Sequence, residues 1–365
     1  MKCLFAIKRL ADVAGGAERV LSTICSELAE RGFQVQLLNF DQPDSFPFYP
    51  ISSKVRLIQL GIGDSSRMTS LGEALLRLTS LRKILVKERP DVAIGFMHSI
   101  YIPLSLAAVG TGIPVIASEH ITIEHYASRK LERLLLILTA PLVKKTTVLS
   151  ESIRSKYPFV VRKRMVPILN PISLHLGAIK YGLKKSYTLL NVGRLSEQKD
   201  QLTLIRSFAK IANKHNDWNL RIIGEGELRA QLEEEIIHFG LQNRISLPGI
   251  SSQIAQEYLS ADLFVISSRY EAFGLVTAEA MSYGLPVIGF LDCPGTNELI
   301  KDAENGILVD DEGDRIGQLA ESISQLMGSY QLRRTLGNQG KMFVDVNFST
   351  DQVVSCWEKL LHDSL

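Results

Sequence analysis

The 365-residue chain contains no Asp-x-Asp and no Cys-x-x-Cys. The first absence removes a common acidic pair for holding a divalent cation, and the second removes the usual frame of a structural zinc site. Four cysteines, Cys3, Cys25, Cys293 and Cys356, are scattered without histidines at ligand spacing. They read as apolar residues of a reducing compartment. No Gly-containing turn completes the G-x-G-x-x-G fingerprint: Arg229 stands where the third glycine should follow Gly224 and Gly226, and Gly15-Gly16 lacks it too. A nicotinamide-linked oxidoreductase is disfavoured on that ground. Lys8, Arg9 and Asp12 interrupt the first apolar run, so no secretory leader is expected, and no membrane span is expected either. A basic face interleaved with aromatics is also missing, which speaks against nucleic-acid binding.

What is present is the composition of a globular protein, 45% hydrophobic and 22% charged, in a chain long enough for two domains. The net charge of +2 conceals a split. Residues 1–170 carry 23 Lys and Arg against 14 Asp and Glu, and the remainder carries 18 against 25. The first half is therefore expected to meet something anionic.

Short apolar runs at 3–7, 35–39, 55–58, 92–96, 114–117 and 146–149 read as buried strands. Helices are expected between most of them, near 17–31, 70–88, 101–109 and 129–140. The pattern restarts with strands at 188–192, 220–223, 245–247, 263–266, 286–288 and 306–309, and helices near 200–214, 226–239, 252–259, 275–283 and 313–327. Near-continuous apolar strands alternating with helices predict parallel sheets covered on both faces. The fold class is α/β: two Rossmann-like doubly wound domains facing a central cleft, over 1–170 and 171–348. The break falls around Pro167–Pro171 and the basic stretch Lys180–Lys185, and two further helices are expected at 330–346 and 350–361.

Four strand-to-helix turns could carry chemistry. Gly15-Gly16-Ala17-Glu18-Arg19 opens a helix after the first strand, where free N–H groups suit an anion. Arg194 and Lys199 lie five apart on one connecting loop and could converge on a diphosphate. Gly224-Glu225-Gly226 is a weaker turn of the same kind. The fourth runs from Ser267 through Glu271, Phe273, Gly274 and Leu275 to Glu279, placing two carboxylates around a helix N-terminus.

Glu271 and Glu279 enclose seven residues, and with Phe273-Gly274-Leu275 the segment resembles the E-x7-E motif of retaining glycosyltransferases of family 4, which have the GT-B fold. Ser118-Glu119-His120 and the other turns agree in order and spacing over nearly the whole chain. The resemblance implies that Arg194 and Lys199 grip the donor diphosphate, that Glu279 binds ribose hydroxyls, and that Glu271 and the backbone of Phe273 and Gly274 meet the transferred sugar. It also places Gly15 and Gly16 on the phosphates, His120 beside the sugar, and segment 349–365 on the first domain. Glu225 and Leu275 join the expected substrate contacts. The donor is expected to be a UDP-sugar, with no cofactor and no catalytic metal, since Arg194 and Lys199 would stand in for one. The acceptor is expected to be a glycan or lipid-linked molecule of cell-surface polysaccharide or glycolipid synthesis.

The stretch from Arg129 to Lys145 brackets apolar residues with cations, and Arg162, Lys163 and Arg164 add another cluster. It reads as docking on an anionic membrane from the cytoplasmic side, although 134–140 could equally be a buried helix. A hydrolysing nucleotide-sugar epimerase on the same fold and a non-catalytic sugar-nucleotide-binding subunit remain open alternatives. His98 and His125 read as structural histidines.

Overall fold

A computed structural model describes the chain apart from Ala14, residues 63–69, Ala127, Ser128, residues 173–183, Ala272 and Asp311. Most of the basic stretch expected at the domain break, with Ala14 and Ala272 of two site motifs, therefore lies outside the described residues. The chain divides into two compact units, Met1–Pro171 with Thr350–Leu365, and Ile172–Ser349.

The first unit is built on seven parallel strands: β1 (Lys2–Ala6), β2 (Gln34–Asn39), β3 (Arg56–Gln59), β4 (Val92–Phe96), β5 (Val115–Ser118), β6 (Lys145–Val148) and β7 (Met165–Pro167). Their order across the sheet is 3-2-1-4-5-6-7. Strands β1 and β4 are apolar throughout their buried length because both faces of the sheet are covered. Helices α1 (Gly16–Glu30), α2 (Leu71–Glu88), α3 (His98–Ala108), α4 (Lys130–Thr139), α5 (Glu151–Lys156) and α6 (Phe159–Arg162) make the connections. A 3-10 turn occupies Ile123–Tyr126.

The second unit has six parallel strands: β8 (Tyr187–Val192), β9 (Trp218–Ile223), β10 (Ile245–Gly249), β11 (Leu263–Val265), β12 (Val287–Phe290) and β13 (Ile307–Val309). They run in the order 10-9-8-11-12-13. Its helices are α7 (Gln201–Ile211), α8 (Arg229–His238), α9 (Ile254–Ser260), α10 (Leu275–Ser282), α11 (Thr296–Leu299), α12 (Arg315–Gly328) and α13 (Tyr330–Asn347). The core is a continuous cluster containing Leu204, Phe208, Trp218, Leu220, Val265, Ile288 and Leu319.

Three differences from the sequence reading have local causes. Strand β7 and the short helices α5, α6 and α11 were not anticipated, since three to six residues are too few to show a period. Helix α3 begins at His98 rather than 101, with Pro103 inside it. Strand β10 continues through Pro248 to Gly249, which its place at the sheet edge permits because an edge strand has one unpaired side.

Helix α14 (Thr350–His362) belongs to the first unit. Its apolar side buries Val353, Val354, Trp357, Leu360 and Leu361. The Trp357 ring stacks on Phe96 at 5.9 Å and tilts against Phe5 at 6.2 Å. Arg31 at the end of α1 pairs with Asp351 at 2.7 Å and Glu358 at 3.2 Å. Those exposed pairs contribute little beside the buried indole. Trp357→Ala is expected to destabilise the first unit by about 3–5 kcal/mol, because the sheet cannot collapse into the space left. Urea unfolding followed by a probe in this unit should show an earlier transition, and an unchanged midpoint contradicts the assignment.

Candidate active site

In an open parallel sheet the strand order reverses at one place, and the two loops leaving the carboxyl ends there diverge to leave a crevice. In the second unit that place lies between β8 and β11. The loop after β8 carries Arg194 and Lys199, and the loop after β11 carries Glu271. The fold thus brings together residues 72 positions apart.

The two loops are joined by a Lys199–Glu271 ion pair, Nζ to Oε1 at 2.5 Å. The Lys199 stem passes beside Gly193, where a Cβ would lie 3.4 Å from it. Glu271 Oε1 also accepts from Ser268 Oγ at 2.6 Å, and the carboxylate is 9% exposed. Backbone contacts reinforce the junction: Arg269 N donates to Gln198 O, Gln198 Nε2 donates to Tyr270 O at 2.9 Å, and Ser267 Oγ donates to Lys199 O at 2.8 Å. Glu271 N donates to Pro294 O at 3.0 Å, and Gly295 must be glycine because a Cβ there would meet Glu271 O at 2.5 Å. Removing either charge leaves the other buried and unpaired, at a cost of about 3–5 kcal/mol.

Sequence reasoning aimed Arg194 and Lys199 at one diphosphate; in the structure Lys199 is held by Glu271 and the Arg194 side chain is exposed. The ammonium has three donors, so contact with Glu271 leaves it able to hold an anion as well.

Gly274 caps α10 in the left-handed conformation, φ 75°, which an L side chain rarely adopts. In the first turn of α10, Thr277 N donates to the cap carbonyl of Gly274 at 2.8 Å, whereas the N–H groups of Leu275 and Val276 precede any carbonyl of their own helix that they could reach. Phe273 is buried edge-on against Phe348 at 5.5 Å. Glu279 is also buried, and its Oε2 accepts from Tyr258 Oη at 2.9 Å. Neither glutamate is therefore a surface residue. Ser268 and Tyr258, which orient them, were missed. Ser268 lay within the quoted motif, whereas Tyr258 on α9 gave no sequence signal.

The Gly224–Gly226 turn has a different use. A Cβ on Gly224 would come 2.0 Å from Gly193 O, and one on Gly226 would come 2.2 Å from Leu195 O. These glycines let one loop pack on the backbone of the next. Glu225 between them is exposed and forked by Arg229 at 2.8 and 2.5 Å, which holds its carboxyl below the usual range.

In the first unit, Gly15 precedes α1 with φ −92° and ψ 155°, and Gly16 is its exposed first residue. A Cβ on Gly15 would fall 2.0 Å from Glu18 Oε2, so this carboxylate lies over the turn. Asp41 pins the approach by accepting from Leu10 N at 2.7 Å and Ala11 N at 3.1 Å. His120 stacks on Phe96 at 4.9 Å, and its Nε2 lies 2.9 Å from Ser118 Oγ. Thr147 Oγ1 donates to that same hydroxyl at 2.8 Å. Burial pushes the imidazole down to about 4, so it is neutral near pH 7. Beside it, burial pushes the Glu119 carboxyl up to about 7 despite donation from Tyr101 Oη at 2.6 Å and Tyr126 Oη at 2.9 Å.

Helix α4 is not a buried helix. Leu131, Leu134 and Leu138 are 69%, 52% and 61% exposed, and only Leu136 and Thr139 are buried. Leu142 follows, and Phe159 on the adjoining α6 is likewise exposed. Lys130 and Arg133 are exposed on the same helix. Among the described residues no helix is long and apolar enough to cross a membrane.

The comparisons agree along the chain. Residues 14–175 match the family model described as Glycosyltransferase Family 4, and residues 179–343 match Glycosyl transferases group 1. An uncharacterized glycosyltransferase of Haemophilus influenzae is 25% identical, the match covering 95% of this chain and 96% of that protein. The amylovoran biosynthesis glycosyltransferase AmsD of Erwinia amylovora is 26% identical, with 99% of each chain covered. The crystal structure of Anabaena HepE in complex with UDP superposes with a TM-score of 0.77 at 18% identity, covering all of both chains, a likeness of fold. The chain is a GT-B glycosyltransferase of the family 4 type.

Proposed function

We propose that the chain moves a hexose or N-acetylhexosamine from a UDP-sugar to a glycan or lipid-linked acceptor, with retention of configuration and without a catalytic metal. The observation that carries this reading is the Lys199–Glu271 pair across the strand-order reversal, next to the N-terminus of α10. HepE is described with UDP, and AmsD is described in amylovoran biosynthesis, which supports the donor and the acceptor class respectively.

The roles follow from charge. As the glycosidic bond breaks, the sugar becomes oxocarbenium-like and the leaving diphosphate gains negative charge. Lys199, positioned by Glu271, and the exposed Arg194 stabilise that charge more in the transition state than in the ground state. The α10 N–H groups from Leu275, with the backbone of Phe273 and Gly274, serve the sugar and phosphates. Glu279, oriented by Tyr258, receives the ribose hydroxyls. The departing phosphate takes the acceptor proton in front-face attack. On the family resemblance, His120 adjoins the sugar and Gly15 and Gly16 serve the phosphates. A contact by Glu225 would have to compete with Arg229.

Lys199→Ala is expected to lower kcat by about 10²-fold or more while circular dichroism stays native. Full activity in that variant sinks the assignment. A panel of nucleotide sugars, with free nucleotide followed with and without membrane extract, separates the two enzymatic readings. Release that requires extract supports transfer, and release of an epimerised sugar without it supports the epimerase.

For the acceptor side we propose that α4 docks on the anionic inner face of a membrane. The exposed Leu131, Leu134 and Leu138 would enter the interface while Lys130 and Arg133 meet lipid headgroups. Co-sedimentation with liposomes should rise with anionic lipid content and fall sharply in Leu134→Glu/Leu138→Glu. Binding indifferent to lipid charge, or unaltered in the double variant, rejects this surface.

A further inference from the structure

Three segments of the first unit meet beside the turn that carries Glu119, to which Tyr126 is hydrogen-bonded. His98 opens α3, His125 lies in the 3-10 turn Ile123–Tyr126, and Glu132 is on the first turn of α4. One donor atom from each lies within 4.8 Å of the other two. His98 Nε2 is 3.3 Å from Glu132 Oε2, and the two imidazole rings are 5.8 Å apart. The buried Tyr126 ring stands edge-on to both, at 5.3 and 5.4 Å, and holds them to this side.

The polar atoms here are unbalanced. His98 Nδ1, His125 Nε2 and Glu132 Oε2 are buried, and none has a hydrogen-bond partner among the described residues. Buried polar atoms are ordinarily satisfied, so His125 Nε2 and Glu132 Oε2 call for an explanation; the unpartnered nitrogen of His98 is Nδ1, whereas its Nε2 faces Glu132. Arg129 donates to Glu132 Oε1 at 3.2 Å and leaves Oε2 for the cluster. What the group lacks is a cation. Burial lowers the proton affinity of both histidines, so a proton fills that role poorly at neutral pH. Met97, directly before His98, has φ 69° and ψ 148°, a conformation costly for a side chain of this size. It turns His98 toward the cluster at the end of β4.

We propose that His98, His125 and Glu132 bind a divalent transition-metal ion of the zinc class, which staples α4 to the sheet. Two imidazoles and one carboxylate are a borderline donor set suited to Zn²⁺, with a fourth position for water. Tetrahedral coordination at about 2.0–2.2 Å spaces its ligand atoms by about 3.3–3.6 Å. His98 and Glu132 already stand at 3.3 Å, and a small adjustment of the His125 ring completes the set. The ion is placed as a structural one, outside the proposed donor chemistry, and its binding does not depend on that chemistry.

The test uses the full chain, free of tags and stripped with chelator, in a Cys356→Ser background that removes the exposed thiol. Titration with Zn²⁺ by calorimetry should give one ion per chain, and Co²⁺ should give the intense visible absorption of a four-coordinate site. Zn²⁺ should also raise the thermal unfolding midpoint. His125→Ala and Glu132→Gln should each weaken binding by at least about tenfold and abolish the midpoint shift. His238→Ala, at an exposed histidine elsewhere, should change neither. If His125→Ala does not fold, Glu132→Gln on the half-exposed helix decides the matter. Absence of stoichiometric binding in the parent protein, or equal binding in Glu132→Gln, overturns the proposal.

Discussion

A lysine and a glutamate withdrawn from water persist as ions only when each compensates the other and neighbouring groups satisfy what remains. Lys199 and Glu271 meet that condition with side chains 18% and 9% exposed, helped by Ser268. The pair does more than close a gap between loops. It fixes a cation at the reversal of strand order, where the loops after β8 and β11 separate. Every donor-side role proposed for this unit refers to that point. The α10 N-terminus, Glu279 and the exposed Arg194 belong to the same pair of loops and the helix they lead into.

Glycines around this centre divide by function. Gly274 is needed for its left-handed turn at the start of α10. Gly224, Gly226 and Gly295 are needed because another backbone comes too close for a side chain. The loops therefore brace one another, and a preorganised set of cations and dipoles follows from backbone packing as much as from charged side chains. In the first unit an aromatic stack does comparable work. Trp357, Phe96 and His120 lie in succession, so α14 and the end of β5 share one packed column. His120 is neutral because that column keeps water away.

Much of the fold was legible because period and apolarity are local properties. The strands at 92–96, 188–192 and 220–223 are fully or largely buried, and their runs of Val, Ile and Leu say so. The helices and the two sheets followed from the same pattern. Elements of three to six residues, such as β7 and α11, escaped because they span less than two turns of any period. The exposure of α4 was one of two readings left open, since an apolar helix reads alike whether it faces a core or solvent.

The sequence by itself determined which residue types stand at each strand end: glycines at the turns, Arg194 and Lys199 after one strand, Glu271 and Glu279 after another. Spacing along the chain is enough for that, because each motif is a local strand-to-helix turn. Only the tertiary structure decided that Lys199 meets Glu271, that Tyr258 orients Glu279, and that His98, His125 and Glu132 converge. Most of those contacts join segments more than twenty residues apart, 72 for Lys199 and Glu271, and the strand order that brings such segments together is a property of the whole sheet. No window of sequence contains it.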